Sequence, residues 1–303
     1  MASDGPDPVT GVPSPSIATS LPPLMADPGG LRRALAAKGV TYQINYNADF
    51  LSSVSGGMRR GSVFNGRLEL SVDADLEKLA NWQGGSAHVS LFHIEGVGLS
   101  RRYVGNMMTV SNIEAIPHTR LFEAWLEQKF FDGKFSIRAG QMGVDSEHTS
   151  SSHASLFNNA SFGWPAILGA NLPSGGPAYP FSTPGIRAKY EPNDNNSVLV
   201  ALFNGDPAQP GPADPQARNP HSMDWHLRHG SYLVAEAKHK YNQDKDAAGL
   251  PGAVKIGAWR HFANFDDMRW GADGRSLADP LSNGIARRHR GDYGVYGMID
   301  QTI

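Results

Sequence analysis

The sequence predicts an all-β fold, an antiparallel membrane β-barrel with a short helix at its N-terminus. Two stretches, residues 40–50 and 64–76, alternate strictly between apolar and polar side chains over more residues than most soluble strands contain. About ten such segments follow one another along the chain. Short turns alternate with long loops between them, which is typical of outer-membrane barrels and not expected of a soluble β-sandwich.

The composition excludes several other classes of protein. The 303 residues include 27 basic and 29 acidic ones, and this near-neutral balance argues against a nucleic-acid partner. Cysteine is absent from the sequence, which excludes disulfides, thiolate metal sites and cysteine nucleophiles. The sequence has no run of about 18 apolar residues, so a membrane-spanning helix is not predicted.

The N-terminal region divides into a leader and a helix. Residues 1–28 are rich in Pro, Ser, Asp and Gly and poor in apolar side chains, so we predict a disordered leader without the features of a signal peptide. Residues 31–38 are strong helix formers, and Gly39 stands where helices often end. A helix is therefore predicted within residues 29–39, and strands within residues 40–303.

The two alternating stretches match the roughly 9–11 residues that a tilted strand needs to cross a bilayer. Further strands are predicted at 86–95, 120–131, 134–142, 185–191, 197–204, 231–241, 253–263 and 292–300. The alternation slips between Leu91 and Phe92, which predicts a β-bulge there. Residues 123–131 fit a helical turn as well as a strand.

The connections between these strands differ in length. Asp132-Gly133 and the polar segment 193–196 predict tight hairpins. Residues 143–182, 205–230 and 264–291 are predicted to form long loops. The first of these loops includes Asn158, Asn159, Phe162 and Trp164, which could contact a sugar by hydrogen bonding and stacking if the loop folds inward. A surface-exposed loop is the alternative.

Several short motifs occur in a fixed order along the chain. They are GGLR at 29–32, KGV at 38–40, SGGMRRG at 55–61, NGRL at 65–68, SRRYVGN at 100–106, SNIEA at 111–115, RLFEAWLEQ at 120–128, NLP at 171–173, YP at 179–180 and TPG at 183–185. With these motifs, the sequence resembles the carbohydrate-selective porins of the OprB type. The resemblance extends over about residues 27–300, and it departs from the family at Pro28, where a tryptophan is usual.

The resemblance implies a sixteen-stranded antiparallel barrel in a Gram-negative outer membrane, of which about two-thirds would be present here, with a periplasmic N-terminal helix. It implies passive diffusion of monosaccharides and small oligosaccharides, with no reaction catalysed and no cofactor. The implied partners are sugars, outer-membrane lipid and lipopolysaccharide, and the channel would be a monomer or a homotrimer. Two alternatives remain open, a soluble or peripheral all-β carbohydrate-binding protein and a non-functional truncated porin fragment.

The polar faces of the predicted strands supply candidate pore-lining residues, because a charge that faces lipid near the midplane costs about 2–4 kcal/mol. These candidates are Arg67, Glu69, Asp73, Glu123, Glu127, Arg138, Arg187, Lys189 and Glu191. Their mixed signs suit neutral solutes better than ions. The alternative for each one is a charge that is merely solvated. Neither the histidine spacing nor the carboxylate pairs predict a metal site or a glycosidase.

Overall fold

The computed structural model describes residues 7, 9–13, 16–244 and 246–303. Residues 1–6, 8, 14 and 15 of the predicted leader, and residue 245, lie outside the described residues. The described chain forms one antiparallel sheet of ten strands, and each strand pairs with its sequence neighbour. No pairing joins the first strand to the tenth in this part of the chain, so the sheet is not closed. The predicted all-β antiparallel fold is confirmed.

Every predicted strand is present, and most are longer than the sequence pattern indicated. The strands are β1 (Val40–Ser53), β2 (Gly61–Asp75), β3 (Gly85–Gly96), β4 (Thr119–Phe130), β5 (Phe135–Met142), β6 (Thr183–Asn193), β7 (Asn196–Asn204), β8 (Ser231–Tyr241), β9 (Gly252–Gly271) and β10 (Ala286–Gln301). Residues 123–130 belong to β4, so the helical alternative for this segment is wrong.

The helices are short. They are α1 (Pro23–Ala26), α2 (Leu31–Ala37), α3 (Leu76–Ala80), α4 (Ala166–Asn171) and α5 (Pro215–Arg218), with 3-10 turns at Ile17–Ser20, Pro28–Gly30, Val144–Ser146, Ala154–Leu156, Ala160–Phe162 and Pro173–Gly175 and a π turn at Ser100–Val104. Helix α2 lies within the stretch predicted to be helical. Among the described residues, no helix has both the length and the apolar character needed to cross a membrane.

The two faces of the sheet differ in polarity. We call the face covered by residues 143–182 the inner face, and the opposite one the outer face. Apolar side chains of the outer face are exposed, for example Ile44 at 58% and Val295 at 82%. Buried polar side chains of the inner face include Arg120, Glu123, Glu127, Arg187, Glu236 and Lys255. This polarity is the reverse of that in a soluble protein, and it suits a sheet that faces lipid on one side.

The two ends of the sheet differ in the length of their connections. One end has the short turns 76–84, 131–134, 194–195 and 242–251. The other end, which we call the long-loop end, has the turn 54–60 and the loops 97–118, 143–182, 205–230 and 272–285. The predicted loop 264–291 is wrong at both ends, because β9 and β10 continue to pair there, with Arg288 opposite Asp266. Asn264 and Arg290, like Asp266 and Arg288, are exposed polar residues on this extension, so the alternation that marks a membrane strand ends earlier than the pairing.

The predicted bulge in β3 is also wrong. β3 pairs with β2 without a register shift from residue 86 to 96. The irregularity lies in β4, where Phe122 is the extra residue between the partners of Ser90 and Leu91. The apolar residue Phe92 breaks the alternation because it points inward and stacks on Phe122, with ring centroids 4.3 Å apart. The pattern therefore signalled inner-face packing and not a bulge.

Candidate functional site

Residues 143–182, which we call the inner loop, are tied to the inner face by charged side chains of the strands. At the start of the loop, Glu123 accepts hydrogen bonds from the backbone N–H of Gly143 (3.1 Å) and the hydroxyl of Ser146 (2.7 Å). The indole of Trp125 donates to the other oxygen of Glu123 at 3.0 Å. A buried carboxylate with this many donors is well satisfied, so Glu123 fixes the direction in which the loop leaves β5.

A charge cluster of Glu127, Arg138, Glu147 and Arg187 holds the next part of the loop. Arg187 contacts Glu127 at 2.8 Å and Glu147 at 2.7 and 2.9 Å, and only 2% of its side chain is exposed. Arg138 contacts Glu127 at 2.8 Å and Glu147 at 3.6 Å. Since Glu147 belongs to the inner loop and the other three to strands, the cluster is an ionic attachment of loop to wall.

The strand register brings the wall residues of this cluster together. Glu127 of β4 lies opposite Arg138 of β5, and Arg138 lies opposite Arg187 of β6. Cross-strand partners on one face have Cβ atoms about 4.5–5.5 Å apart, so the three side chains form a row across the sheet. Burial opposes ionisation of Glu147, but Arg138 and Arg187 hold the pKa of this carboxyl below its ordinary value. The carboxyl of Glu147 is therefore ionised at neutral pH, where it pairs with both guanidinium groups.

A second attachment lies on β8, β9 and β10. Glu236 accepts a hydrogen bond from the backbone N–H of Thr149 at 2.9 Å and one from the hydroxyl of Tyr296 at 2.8 Å. The ammonium of Lys255 lies 3.4 Å from Glu236 and donates to the carbonyl oxygen of Ser150 at 2.5 Å. The inner loop thus spans the sheet from β4 to β10 along a row of buried charges.

Apolar packing supports the same loop. Apolar side chains of the loop and of the strands beneath it form one buried cluster, which includes Met142, Val144, Trp164, Leu168, Leu172, Phe203, Tyr232, Val234 and Trp259. Trp164 is only 8% exposed and donates a hydrogen bond to the carbonyl oxygen of Gly175 at 2.9 Å. Most of this indole therefore packs inside the loop, and little of it is available as a stacking surface for a solute.

A cavity of about 600 Å³ lies between the inner loop and strands β1 and β2. Its lining residues include Asp49, Arg67, Asn112, Asp145, Asn158, Trp164 and Tyr179. The Arg67 guanidinium lies over the rings of Phe92 (4.7 Å) and Tyr179 (5.4 Å). Asp49 accepts hydrogen bonds from Ser111 (2.5 Å) and Asn158 (3.3 Å). The volume is suited to a small polar solute.

Two buried polar atoms at this cavity lack a hydrogen-bond partner among the described residues, Nε of Arg67 and Oδ1 of Asp145. The Nε–H of Arg67 is a donor, and Oδ1 of the ionised Asp145 is an acceptor. A sugar hydroxyl can both accept and donate a hydrogen bond, so it matches this pair. Since buried polar atoms in proteins are usually paired, these two atoms leave hydrogen-bonding capacity unused in the wall of the cavity. Burial raises the pKa of the Asp145 carboxyl to about 6, and the nearby Glu123 adds to this effect.

Asp145 gives a prediction for the pH dependence of stability. Its ordinary pKa is 3.8, so above about pH 6 the folded protein holds a carboxylate that the unfolded chain solvates better. We expect Asp145→Asn to raise the free energy of unfolding by about 1–3 kcal/mol at pH 8 and by less than about 1 kcal/mol at pH 4. Urea unfolding at both pH values measures this difference. Asp194→Asn, in an exposed turn, is the control, and an equal gain at both pH values would contradict the prediction.

The structure separates the predicted site residues into several groups. Glu127, Arg138 and Arg187 meet in the charge cluster, Glu123 holds the base of the loop, and Arg67, Asn158 and Trp164 border the cavity. The remaining predicted residues lie outside these groups. Three contacts involve charged side chains: Glu69 with Arg67 at 3.5 Å, Asp73 with His88 at 2.7 Å, and Lys189 with Glu191 at 2.9 Å. In the inner loop, Asn159 caps a turn, and the ring of Phe162 stacks on that of Phe157 with centroids 4.7 Å apart.

Sequence reasoning missed the residues that complete these groups. They are Asp49, Asp145, Glu147, Tyr179, Glu236 and Lys255. Glu236 and Lys255 carried a usable signal, because both occupy the polar phase of predicted strands. Asp145, Glu147 and Tyr179 lie in a loop without periodicity, so no pattern indicated which of its side chains would meet the wall.

Comparisons with known proteins agree with this architecture. Residues 59–303 match the family described as "Carbohydrate-selective porin, OprB family". Porin B of Pseudomonas aeruginosa is 23% identical over 83% of this chain and 55% of its own length. The putative porin QuiX of Acinetobacter baylyi is 23% identical over 81% of this chain and 56% of its own length. The chain therefore spans about half the length of these curated relatives.

A solved structure shows the same fold. The high-pH structure of OprB from Pseudomonas putida superposes with a TM-score of 0.78 at 20% identity, over 91% of this chain and 64% of that one. Members of the matched family are outer-membrane proteins of Gram-negative bacteria. The family match covers well over half of the sequence, and the chain belongs to the carbohydrate-selective porin family of the OprB type.

Proposed function

We propose that this chain forms part of the wall and the constriction of an outer-membrane channel through which sugars diffuse passively, without a catalysed reaction. The cavity beside Arg67 carries the proposal, because it combines an unpaired donor, an unpaired acceptor and the amide of Asn158 at the inner face. Such groups match sugar hydroxyls and hold them weakly enough for release. The wall carries both signs of charge, which favours neutral solutes over ions.

The outer face supports the membrane location. Its exposed apolar side chains would face hydrocarbon, and exposed aromatic residues lie near the short turns, namely Trp82, Phe130, Phe131 and Tyr190. Aromatic side chains at this level are typical of the membrane interface of a barrel. A soluble sugar-binding protein would leave this apolar surface in water, so the soluble alternative is disfavoured. A truncated fragment without function has no specific observation in its favour.

The remaining partners and locations are part of the same proposal. Helix α2 precedes β1 at the short-turn end, which would face the periplasm. Within the described ranges, no group of three or more histidine, aspartate or glutamate side chains is placed to hold a metal ion. We propose that the channel works without a cofactor, with outer-membrane lipid around it, as a monomer or a homotrimer.

Conductance measurements test the proposed function. The full-length protein that contains this chain is reconstituted in planar bilayers, and neutral sugars are added to both sides. We expect the sugars to reduce the ion current in a saturable way, since a bound sugar displaces ions from the constriction. A folded, inserted protein whose current no sugar reduces would contradict the proposal.

Substitutions at the cavity locate the binding site. Arg67→Met and Asp49→Asn each remove one charged partner of a sugar hydroxyl, and we expect the half-inhibiting sugar concentration to rise about tenfold, which equals about 1.4 kcal/mol. Arg60→Gln is the matched control, because Arg60 is an exposed cation of the 54–60 turn. An unchanged sugar dependence in both cavity variants would place the binding site elsewhere in the channel.

A further inference from the structure

A groove of about 550 Å³ lies on the outer face at the long-loop end. Its floor includes Ile186 of β6 and Leu202 of β7, and its rim includes Leu227 and Arg228, which precede β8. Ile186 and Leu202 are cross-strand partners, and both side chains are more than 40% exposed. An apolar groove with a cation at its rim therefore opens toward the region where the proposed channel meets lipid.

Two further arginines lie on neighbouring strands of the same face. Arg260 of β9 is opposite Leu233 of β8, which is itself opposite Leu202, so Arg260 stands at the level of the groove. Arg290 of β10 is opposite Asn264 and lies farther toward the long-loop end. We call Arg228, Arg260 and Arg290 the outer arginines. None of them makes an ion pair with a described residue, and all three are exposed.

The outer arginines mark a boundary on the outer face. Toward the short-turn end, the outward residues of β9 and β10 are apolar, such as Ile256, Val295 and Ile299. Toward the long-loop end, the exposed Phe262 follows Arg260, and the polar residues Asn264 and Asp266 come next. In a membrane barrel this boundary is the level of the lipid headgroups, and cations at that level meet the anionic groups of the leaflet.

We propose that the outer arginines and the groove bind lipopolysaccharide, with an acyl chain against Ile186 and Leu202 and the lipid A phosphates on the guanidinium groups. This inference rests on the proposed outer-membrane location. Adjacent strands lie about 4.8 Å apart, so cations before β8, on β9 and on β10 extend over two strand spacings, or about 10 Å. A glycolipid with two phosphates matches this spread better than a phospholipid with one, and arginine binds each phosphate through two parallel hydrogen bonds.

Lipid binding to the full-length protein in detergent tests the proposal without any transport measurement. Native mass spectrometry compares bisphosphorylated lipid A, monophosphoryl lipid A and phosphatidylglycerol as probes. We expect lipid A to bind about tenfold more tightly than either of the other two, and the Arg228→Gln/Arg260→Gln variant to lose about tenfold in lipid A affinity. Lys38→Gln/Lys134→Gln is the control, because it removes two exposed cations at the opposite end of the sheet.

Two results would overturn the proposal. One is equal binding of lipid A and phosphatidylglycerol, which would indicate a surface for any anionic lipid. The other is equal loss of lipid A in the control and in the arginine variant, which would indicate a general effect of charge. Sugar inhibition of the current is measured separately on the same variants, and we expect it to be unchanged. A channel with normal sugar inhibition and no lipid A preference would therefore contradict this inference alone.

Discussion

The substitution Arg187→Met is expected to lower the free energy of unfolding by about 3 kcal/mol, because it leaves the buried Glu127 and the partly buried Glu147 without their main partner. Arg187 is 2% exposed and contacts Glu127 and Glu147 at 2.7–2.9 Å, and it also donates to the hydroxyl of Ser136 at 2.7 Å. Arg138 remains beside both carboxylates, but it is 3.6 Å from Glu147. One guanidinium cannot satisfy the acceptors that two shared before.

Urea unfolding of the full-length protein from lipid vesicles measures this loss. Lys189→Gln is the matched control, since Lys189 is two residues farther on the same face of β6 and pairs with the partly exposed Glu191 at 2.9 Å. Pairs of this kind contribute about 0–1 kcal/mol, so the control should unfold close to the wild type. A loss below about 1 kcal/mol in Arg187→Met would show that the charge cluster does not fasten the loop.

The same variant has an expected effect on conduction. Without Arg187, the attachment of Glu147 to the wall is weakened. The inner loop can then move away from the part of the wall that β4, β5 and β6 form. We expect a larger and noisier single-channel current with weaker sugar inhibition, in a fully inserted protein. Arg187→Lys keeps the charge but not the forked geometry, so its current should lie between those of the wild type and Arg187→Met.

The fold could be predicted because the alternation between apolar and polar residues is itself the physical requirement of a sheet between lipid and water. β1 and β2 follow this rule over residues 40–50 and 64–75, and their predicted positions are confirmed. The alternation is lost where the inner face packs against protein instead of water, and where the outer face extends beyond the lipid. Phe92 points inward against Phe122, and β9 continues beyond residue 263 with the exposed polar residues Asn264 and Asp266, so the predicted bulge and the predicted length of the last loop were wrong.

The strand pattern could predict the strand side of the candidate site, whereas on the loop side composition pointed only to Asn158 and Trp164. Glu127, Arg138 and Arg187 were selected because they share the polar phase of their strands, and the register then places them in one row. Their partner Glu147 and the cavity residue Asp145 depend on how a forty-residue loop, 143–182, crosses the sheet. That path is set by tertiary contacts of Glu123 and Glu236 with loop backbone N–H groups. The strand pattern indicates that both glutamates face inward, but no local pattern indicates which loop atoms they contact.

Glu236 anchors the other end of the inner loop, and its substitution is the second large effect that we expect. Glu236→Ala removes the acceptor for the Thr149 N–H and the Tyr296 hydroxyl, and it leaves the ammonium of Lys255, which is 6% exposed, without its carboxylate. Breaking one side of a buried ion pair costs about 3–5 kcal/mol. The free energy of unfolding should therefore fall by about that amount.

A series of variants separates the lost charge pair from the lost hydrogen bonds. Glu236→Gln keeps an oxygen for Thr149 and Tyr296 but not the charge, so its loss should be smaller than that of Glu236→Ala. Lys255→Met in the Glu236→Gln background removes the unpaired buried ammonium, and we expect it to restore about 1–3 kcal/mol relative to Glu236→Gln. If Lys255→Met instead lowers stability further by its full single-variant effect, the two side chains act independently, and Lys255 serves the loop only through its hydrogen bond to Ser150.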